Sequence, residues 1–408
     1  MKKNLVISGI ISGIIIIILL SISTISAANE QRPNWAKETQ GFVLSIELVG
    51  DEMVTGSRGG IINYFDANGR VKWKYLAQGD VGSISSSGDT ISVGTAEGYI
   101  YSFDKNSNNP RWSALVGGVP SVAVSDKYIA SGTYNGQLFV FDKYTGEKVW
   151  ELDESKSIYS VFSIAVSGDI LFITTADVEN ELSKNGYIYA FDINTGKQKW
   201  RNKIRGWIYT SAVSDDMIVV GTWEEDKGGV YAFSISGNSM WKYAAPEDVT
   251  SVAIAENSVA FGTGNSYDED KIYLVDKNTG ELKWEQYVRN SPYPDTKALY
   301  SNPWLALSDG SVIVGLRDNN VHVYEKETGC ERWNYKTGGD VHTVAYGNGK
   351  VIAGSWDKKV YVFDEGEIGS VQCNRMDAET KKMVTIIAAI VMVLCLVVFY
   401  VFFIRVKT

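Results

Sequence analysis

The chain is short of the residues that most often carry chemistry or staple small scaffolds. It has three cysteines in 408 residues, Cys330, Cys373 and Cys395. That is too few for a disulfide-built scaffold or a four-cysteine zinc site. Its two histidines are His322 and His342, and no HExxH, GxSxG or Walker loop is present, so the sequence signatures of zincin proteases, α/β-hydrolases and P-loop enzymes are missing. No Asn starts an N-x-Ser/Thr sequon with a non-proline middle, and N-glycosylation is not expected. Basic charge is scarce as well. Of 39 Lys and Arg, four (Lys2, Lys3, Arg405 and Lys407) lie in the apolar ends, which leaves 35 against 48 acids and a net charge of −13 for residues 29–382. An acidic body is repelled by phosphate, so nucleic-acid binding through a basic face is not expected, nor is docking on anionic lipid.

Two long uncharged runs are present. Lys2 and Lys3 precede an apolar stretch from Leu5 to Leu20 and small residues from Ser21 to Ala28. This is the order of a secretory signal over residues 1–28, cut near Ala27 or Ala28, or of an uncleaved signal anchor. Met383 to Ile404 is 22 residues without a charge. At about 1.5 Å per residue it is long enough to cross a ~30 Å hydrocarbon layer. The expected organisation is a signal at 1–28, a folded body at 29–366, a stalk at 367–382, a transmembrane helix at 383–404 and a cytoplasmic tail at 405–408. The body then stands outside the cytoplasm, at the cell surface.

The body is one motif written eight times. Segments such as INYFD to Asp66, IYSFD to Asp104, LFVFD to Asp142 and IYAFD to Asp192 end a strand in the same way. VYAFS, IYLVD, VHVYE and VYVFD repeat this at Ser234, Asp276, Glu325 and Asp364. Seven are followed at matching distance by a tryptophan: Trp73, Trp112, Trp150, Trp200, Trp241, Trp284 and Trp333. Apolar residues alternate with period two and the links are turns such as DINTGKQKW, so each pair is strand–turn–strand. A second pair lies upstream, between Ser45, Ser83, Ser121, Ser163, Thr210, Ser251 or Thr343 (Trp304 in the seventh repeat) and glycines such as Gly56 and Gly354. Four short antiparallel strands at a period of about forty residues describe a propeller blade. The eighth unit lacks its tryptophan, while Trp35 precedes Ser45 at the usual spacing. The N-terminal strand is therefore predicted to complete blade 8 and close an eight-bladed, all-β ring, with the tryptophans as wedges between blades.

The pattern IYAFD-x-x-TG-x-x-x-W, recurring from residue 35 to 364, resembles the tryptophan-docking repeat of the pyrroloquinoline-quinone (PQQ)-like propellers. The resemblance implies the fold; its members include quinoprotein dehydrogenases, assembly lipoproteins and many non-enzymes. The alcohol-oxidising members commonly pair adjacent cysteines over their cofactor. No two cysteines are adjacent here, and their calcium ligands have no matching motif. No cofactor and no catalytic residue are expected.

Five spacings depart from the repeat, and all fall in links that emerge on one face of an up-and-down blade. Insertions mark working faces. The longer loops carry an acidic arc of Asp177, Glu179 and Glu181 in blade 4, Glu224, Glu225 and Asp226 in blade 5, and Asp268, Glu269 and Asp270 in blade 6. The blade 6 loop is either a calcium site or merely solvated. Equivalent links in blades 7, 8 and 1 carry Arg317, Lys358 and Arg58. Rim aromatics Tyr134, Tyr159, Phe162, Tyr209, Trp223, Tyr300, Trp304 and Trp356, with His342, either contact a peptide or sugar or plug the channel mouth. His322 replaces a strand tyrosine and reads as packing. Cys330 and Cys373 fall on the opposite face and are predicted to pair in an oxidising exterior. The leading expectation is a non-catalytic protein- or glycan-binding module. A quinone-dependent dehydrogenase and a membrane-protein assembly factor are the alternatives.

Overall fold

The period-two segments fold as strands of mostly four to eight residues. The computed structural model describes residues 29–118, 121–153, 160–176, 185–224, 227–264, 271–288 and 304–366. These form eight antiparallel sheets whose order is almost purely sequential. Blade 1 is Val43–Val49, Glu52–Ser57, Ile61–Phe65 and Val71–Leu76. Blades 2 to 6 repeat this over 81–115, 121–153, 160–205, 207–245 and 249–287. The first strands neighbour one another all the way round, blade 8 against blade 1 included. They line the axis, and the tryptophan-bearing fourth strands form the perimeter.

Closure follows the Trp35 spacing. Trp35–Glu38 pairs antiparallel with Lys359–Asp364, in register Trp35↔Val362 to Glu38↔Lys359. Asn34 locks the junction: its Nδ2 donates to Asp364 Oδ2 at 2.7 Å, and the Asp364 amide donates to Asn34 Oδ1 at 2.8 Å. One strand was not foreseen. Asn29–Glu30 adds parallel to Glu331–Lys336, so blade 7 carries a fifth strand on its outer edge.

The repeat now has a physical reason. Every blade tryptophan donates its indole N–H to the carbonyl just past the strand-ending residue of the next blade. Trp73 reaches Lys105 O at 2.8 Å, Trp150 reaches Ile193 O at 2.7 Å and Trp284 reaches Lys326 O at 2.8 Å. Trp112, Trp200, Trp241 and Trp333 do the same with Lys143, Ile235, Lys277 and Glu365, and Trp35 with Ala67. The strand-ending acid fixes that carbonyl by capping its turn, as Asp142 Oδ1 does for the Tyr144 and Thr145 amides. The turn glycine serves twice. Gly280 has φ +72°, and a Cβ there would lie 2.7 Å from the Trp241 ring. The second-strand glycine receives the next inner strand: a Cβ on Gly56 would lie 2.2 Å from Val81 Cγ1. Between blades, side chains such as Tyr64, Trp73, Val93 and Phe103 merge into one buried cluster. The core is thus a series of inter-blade seams, each built from two neighbours.

The transmembrane segment expected at 383–404, the signal at 1–28 and Cys373 lie outside the described residues. Among the described residues no helix is long and apolar enough to cross a membrane.

Candidate functional site

Register fixes which end of each blade carries the long links. In blade 4, Ala176 pairs with both Ser160 and Gly186, so the links at 154–159 and 177–184 leave from one end. In blade 6, Thr263 pairs with both Val249 and Lys271, which places the link at 265–270 there too. We call this end the mouth. Tyr159, Asp177, Glu179, Glu181, Glu225, Asp226, Asp268, Glu269, Asp270 and Tyr300 fall within such links and lie outside the described residues. Of the acidic arc, Glu224 is described, and its charge is already committed: its carboxylate pairs with Arg205.

A backbone device missed in the sequence aims the rim. In six inner strands the pairing skips one residue, between Val43 and Ser45, Val81 and Ser83, Val161 and Ser163, Ile208 and Thr210, Val249 and Ser251, and Val341 and Thr343. A bulge re-aims the extra side chain. The skipped residues are Leu44, Gly82, Phe162, Tyr209, Thr250 and His342. The Val/Ile-x-Ser/Thr spelling of these strands was the available signal. At the end of each second strand stands a second tier that includes Arg58, Tyr134, Trp223, Arg317 and Trp356.

These tiers make two aromatic clusters. Over blades 3 to 5, Tyr134 meets Phe162 at 5.1 Å and Phe162 meets Tyr209 edge-on at 4.5 Å. Tyr209 meets Trp223 at 6.1 Å, and Trp207 meets Trp223 at 4.9 Å. Tyr134 and Tyr209 are 45% and 39% exposed. Over blades 7, 8 and 1, Trp304 meets His342 at 4.1 Å, His342 stacks on Trp356 at 5.2 Å and Trp356 on Phe42 at 5.8 Å. Lys358 Nζ stands 5.8 Å from the Phe42 ring centre. Phe42 and Trp207 belong to these clusters but had not been singled out, because both lie beside, not on, the recurring positions. Burial pushes His342 down to about 4, so it is neutral at ordinary pH. Arg58 is exposed and pairs with Asp80 at 3.5 Å.

His322 corrects an expectation. It is not simple packing: Nδ1 meets Glu331 Oε1 at 2.6 Å and Nε2 meets Asp318 Oδ2 at 3.0 Å. Burial works against its charge, but the two hydrogen-bonded carboxylates outweigh it and hold the imidazolium up to about 9. Cys330 lies in the turn between the third and fourth strands of blade 7, away from the mouth, and is disulfide-bonded. The opposite face also holds a cleft lined by Ser125, Asp126, Lys127, Gly168 and Asp169. Beside it the buried Lys143 spends its ammonium on the carbonyls of Ser87, Ser125 and Asp126 at 3.0 to 3.4 Å. That ion therefore serves the seam between blades 2 and 3.

Among the described residues no group of three or more His, Cys, Asp or Glu could hold a metal ion. Among the described residues the mouth does not fit a cysteine-covered quinone either, since the described cysteine, Cys330, is disulfide-bonded and sits on the other face.

A family profile described as "Outer membrane protein assembly factor BamB" matches residues 96–184, 141–301 and 268–403. The chain belongs to this family of PQQ-repeat β-propellers. Among curated proteins it is 24% identical over 188 residues to the outer membrane protein assembly factor BamB of Burkholderia pseudomallei, covering 46% of this chain and 45% of that one. It is 31% identical over 134 residues to methanol dehydrogenase [cytochrome c] subunit 1 of Methylorubrum extorquens, covering 29% of this chain and 19% of that one. The chain thus spans less than half the length of these relatives. The crystal structure of BamB from Moraxella catarrhalis superposes with a TM-score of 0.63 at 17% identity, over 82% of this chain and 99% of that one. At that identity the likeness shows the fold.

Proposed function

We propose that this propeller is a non-catalytic docking module of the cell envelope, whose mouth receives a segment of a protein partner. The observation that carries the reading is the pair of aromatic clusters at the end of the blades where all the long links leave. Half-exposed tyrosines and partly buried tryptophans there offer apolar area beside polar groups, the composition of protein-binding surfaces. The family's printed description, an assembly factor for outer membrane proteins, supports a protein partner over a glycan and makes membrane-protein assembly the more specific role. A disulfide at Cys330 supports an oxidising compartment, in keeping with a signal at 1–28 and an anchoring helix at 383–404. Its proposed partner is Cys373; peptide mapping without reductant should recover the two in one fragment, and two free thiols there would reject the pairing.

The test is capture from solubilised membranes with the full chain, compared with a Tyr134→Ser, Tyr209→Ser variant. Recovery of specific proteins should fall at least fivefold; equal recovery would move the site off this face. The similarity to methanol dehydrogenase supports the alternative, a quinone-dependent oxidoreductase. Dye reduction together with a thermal shift on adding the quinone and calcium would establish that alternative in place of ours.

A further inference from the structure

Three buried nitrogen atoms stand together at the blade 7–8 corner of the mouth with no hydrogen-bond partner: Arg317 Nε, His342 Nδ1 and Trp356 Nε1. Such atoms are uncommon, because a buried donor left unmade costs about 1–3 kcal/mol. Arg58, the blade 1 counterpart of Arg317, pairs with Asp80 through the same Nε. The blade tryptophans all give their indole N–H to a carbonyl. Arginine and tryptophan side-chain nitrogens can only donate, so what Arg317 Nε and Trp356 Nε1 lack is an acceptor.

The surroundings narrow its nature. Two nearby acids are already engaged: Asp318 holds His322 at 3.0 Å, and Asp357 takes the Gly338 amide at 2.9 Å and the Tyr361 hydroxyl. Asp340 precedes the first strand of blade 8 as Asp80 precedes that of blade 2, but it makes no ion pair with Arg317, and burial pushes its carboxyl upward despite that guanidinium. Arg317 and Lys358 supply positive charge at the rim. Trp304 and Phe42, at the two ends of the stack through His342 and Trp356, supply flat apolar walls. An acceptor that also carries charge gains most from an arginine in a half-buried site.

We propose that this corner binds a carboxylate side chain of a partner peptide, which takes the free N–H groups of Arg317 and Trp356 while the peptide lies along Trp304 and Phe42. The assignment rests on the protein-docking reading above and specifies where on the mouth, and through which chemistry, the partner engages.

The probes are acetyl-Ala-Glu-Ala-amide, its glutamine counterpart and glucuronate, titrated into the full chain carrying ¹⁵N-tryptophan. The indole resonance that disappears in Trp356→Phe should move saturably with the glutamate peptide and bind the glutamine peptide at least about fivefold more weakly. Arg317→Gln should weaken the glutamate peptide about tenfold or more, the loss expected when a hydrogen bond to a charged group is removed. Trp356→Phe keeps the ring stack and should still weaken binding, read on the Trp304 resonance. Equal binding of the two peptides, indifference to both substitutions in variants with unchanged melting, or a preference for glucuronate would overturn the proposal. A response confined to Trp207 and Trp223 would overturn this corner and leave the docking role standing. Loss of partner capture alongside an intact glutamate-peptide response would do the reverse.

Discussion

On the perimeter, Trp284 gives its indole N–H to Lys326 O at 2.8 Å; at the mouth, Trp356 gives its own to nothing. Both belong to the same eightfold repeat, yet they answer to different demands. The perimeter tryptophans meet one requirement eight times, the joining of a blade to the next, and their surroundings are complete within the chain. At the mouth six blades carry a bulge and each puts a different residue on it, from Gly82 to Tyr209 to His342, and polar atoms are left over. The repeated perimeter contact is satisfied within the chain, whereas the Arg317 and Trp356 donors at the mouth are left without an acceptor.

The strongest test of that contrast is truncation at the perimeter. Trp284→Ala removes a 4% exposed ring wedged between blades 6 and 7 and should cost about 3–5 kcal/mol in equilibrium urea unfolding. A loss under 1 kcal/mol would show that the wedges do not hold the ring.

A second test uses His322. Its pKa is held above the unfolded value near 6.5, so its contribution is complete below pH 6.5 and is lost as pH rises through about 9. The loss should be on the order of 2–3 kcal/mol between those limits. His322→Gln should flatten that part of the stability–pH curve, and an unchanged slope would mean the imidazolium is not what Asp318 and Glu331 hold.

The finest comparison removes a single N–H. Trp284→Phe deletes a made, buried hydrogen bond and should cost about 1–3 kcal/mol. Trp356→Phe deletes an unmade one, so relief of its desolvation offsets the smaller ring and stability should stay level or rise by up to about 1 kcal/mol. Equal costs would erase the distinction between the two tiers.

Much of this architecture can be read from the chain because its cause is local. Alternation in IYAFD marks a strand, and the interval to the next tryptophan marks a turn whose glycine must admit a ring. Trp35 announced closure because one missing tryptophan at the end matched one surplus at the start. The mouth was only half legible. Phe162, Tyr209, Trp304 and His342 could be placed near the axis by counting, but the bulges that aim three of them depend on pairing across strands. Phe42 and Trp207 joined their clusters from link positions that no repeat marks. His322 misled because a strand position suggests packing, while its two carboxylates come from a turn and a neighbouring strand. An unmet donor depends on what fails to reach it, and spacing carries no trace of that.

Ring closure also sets an order of events. Asn34 and Asp364 bond across 330 residues of sequence. During synthesis the segment around Trp35 emerges long before its sheet exists and must wait without partners until the last blade is made. Joining such distant strands demands a costly loop closure and slows folding. The same delay means that a chain cut short anywhere before the final strand cannot seal its ring.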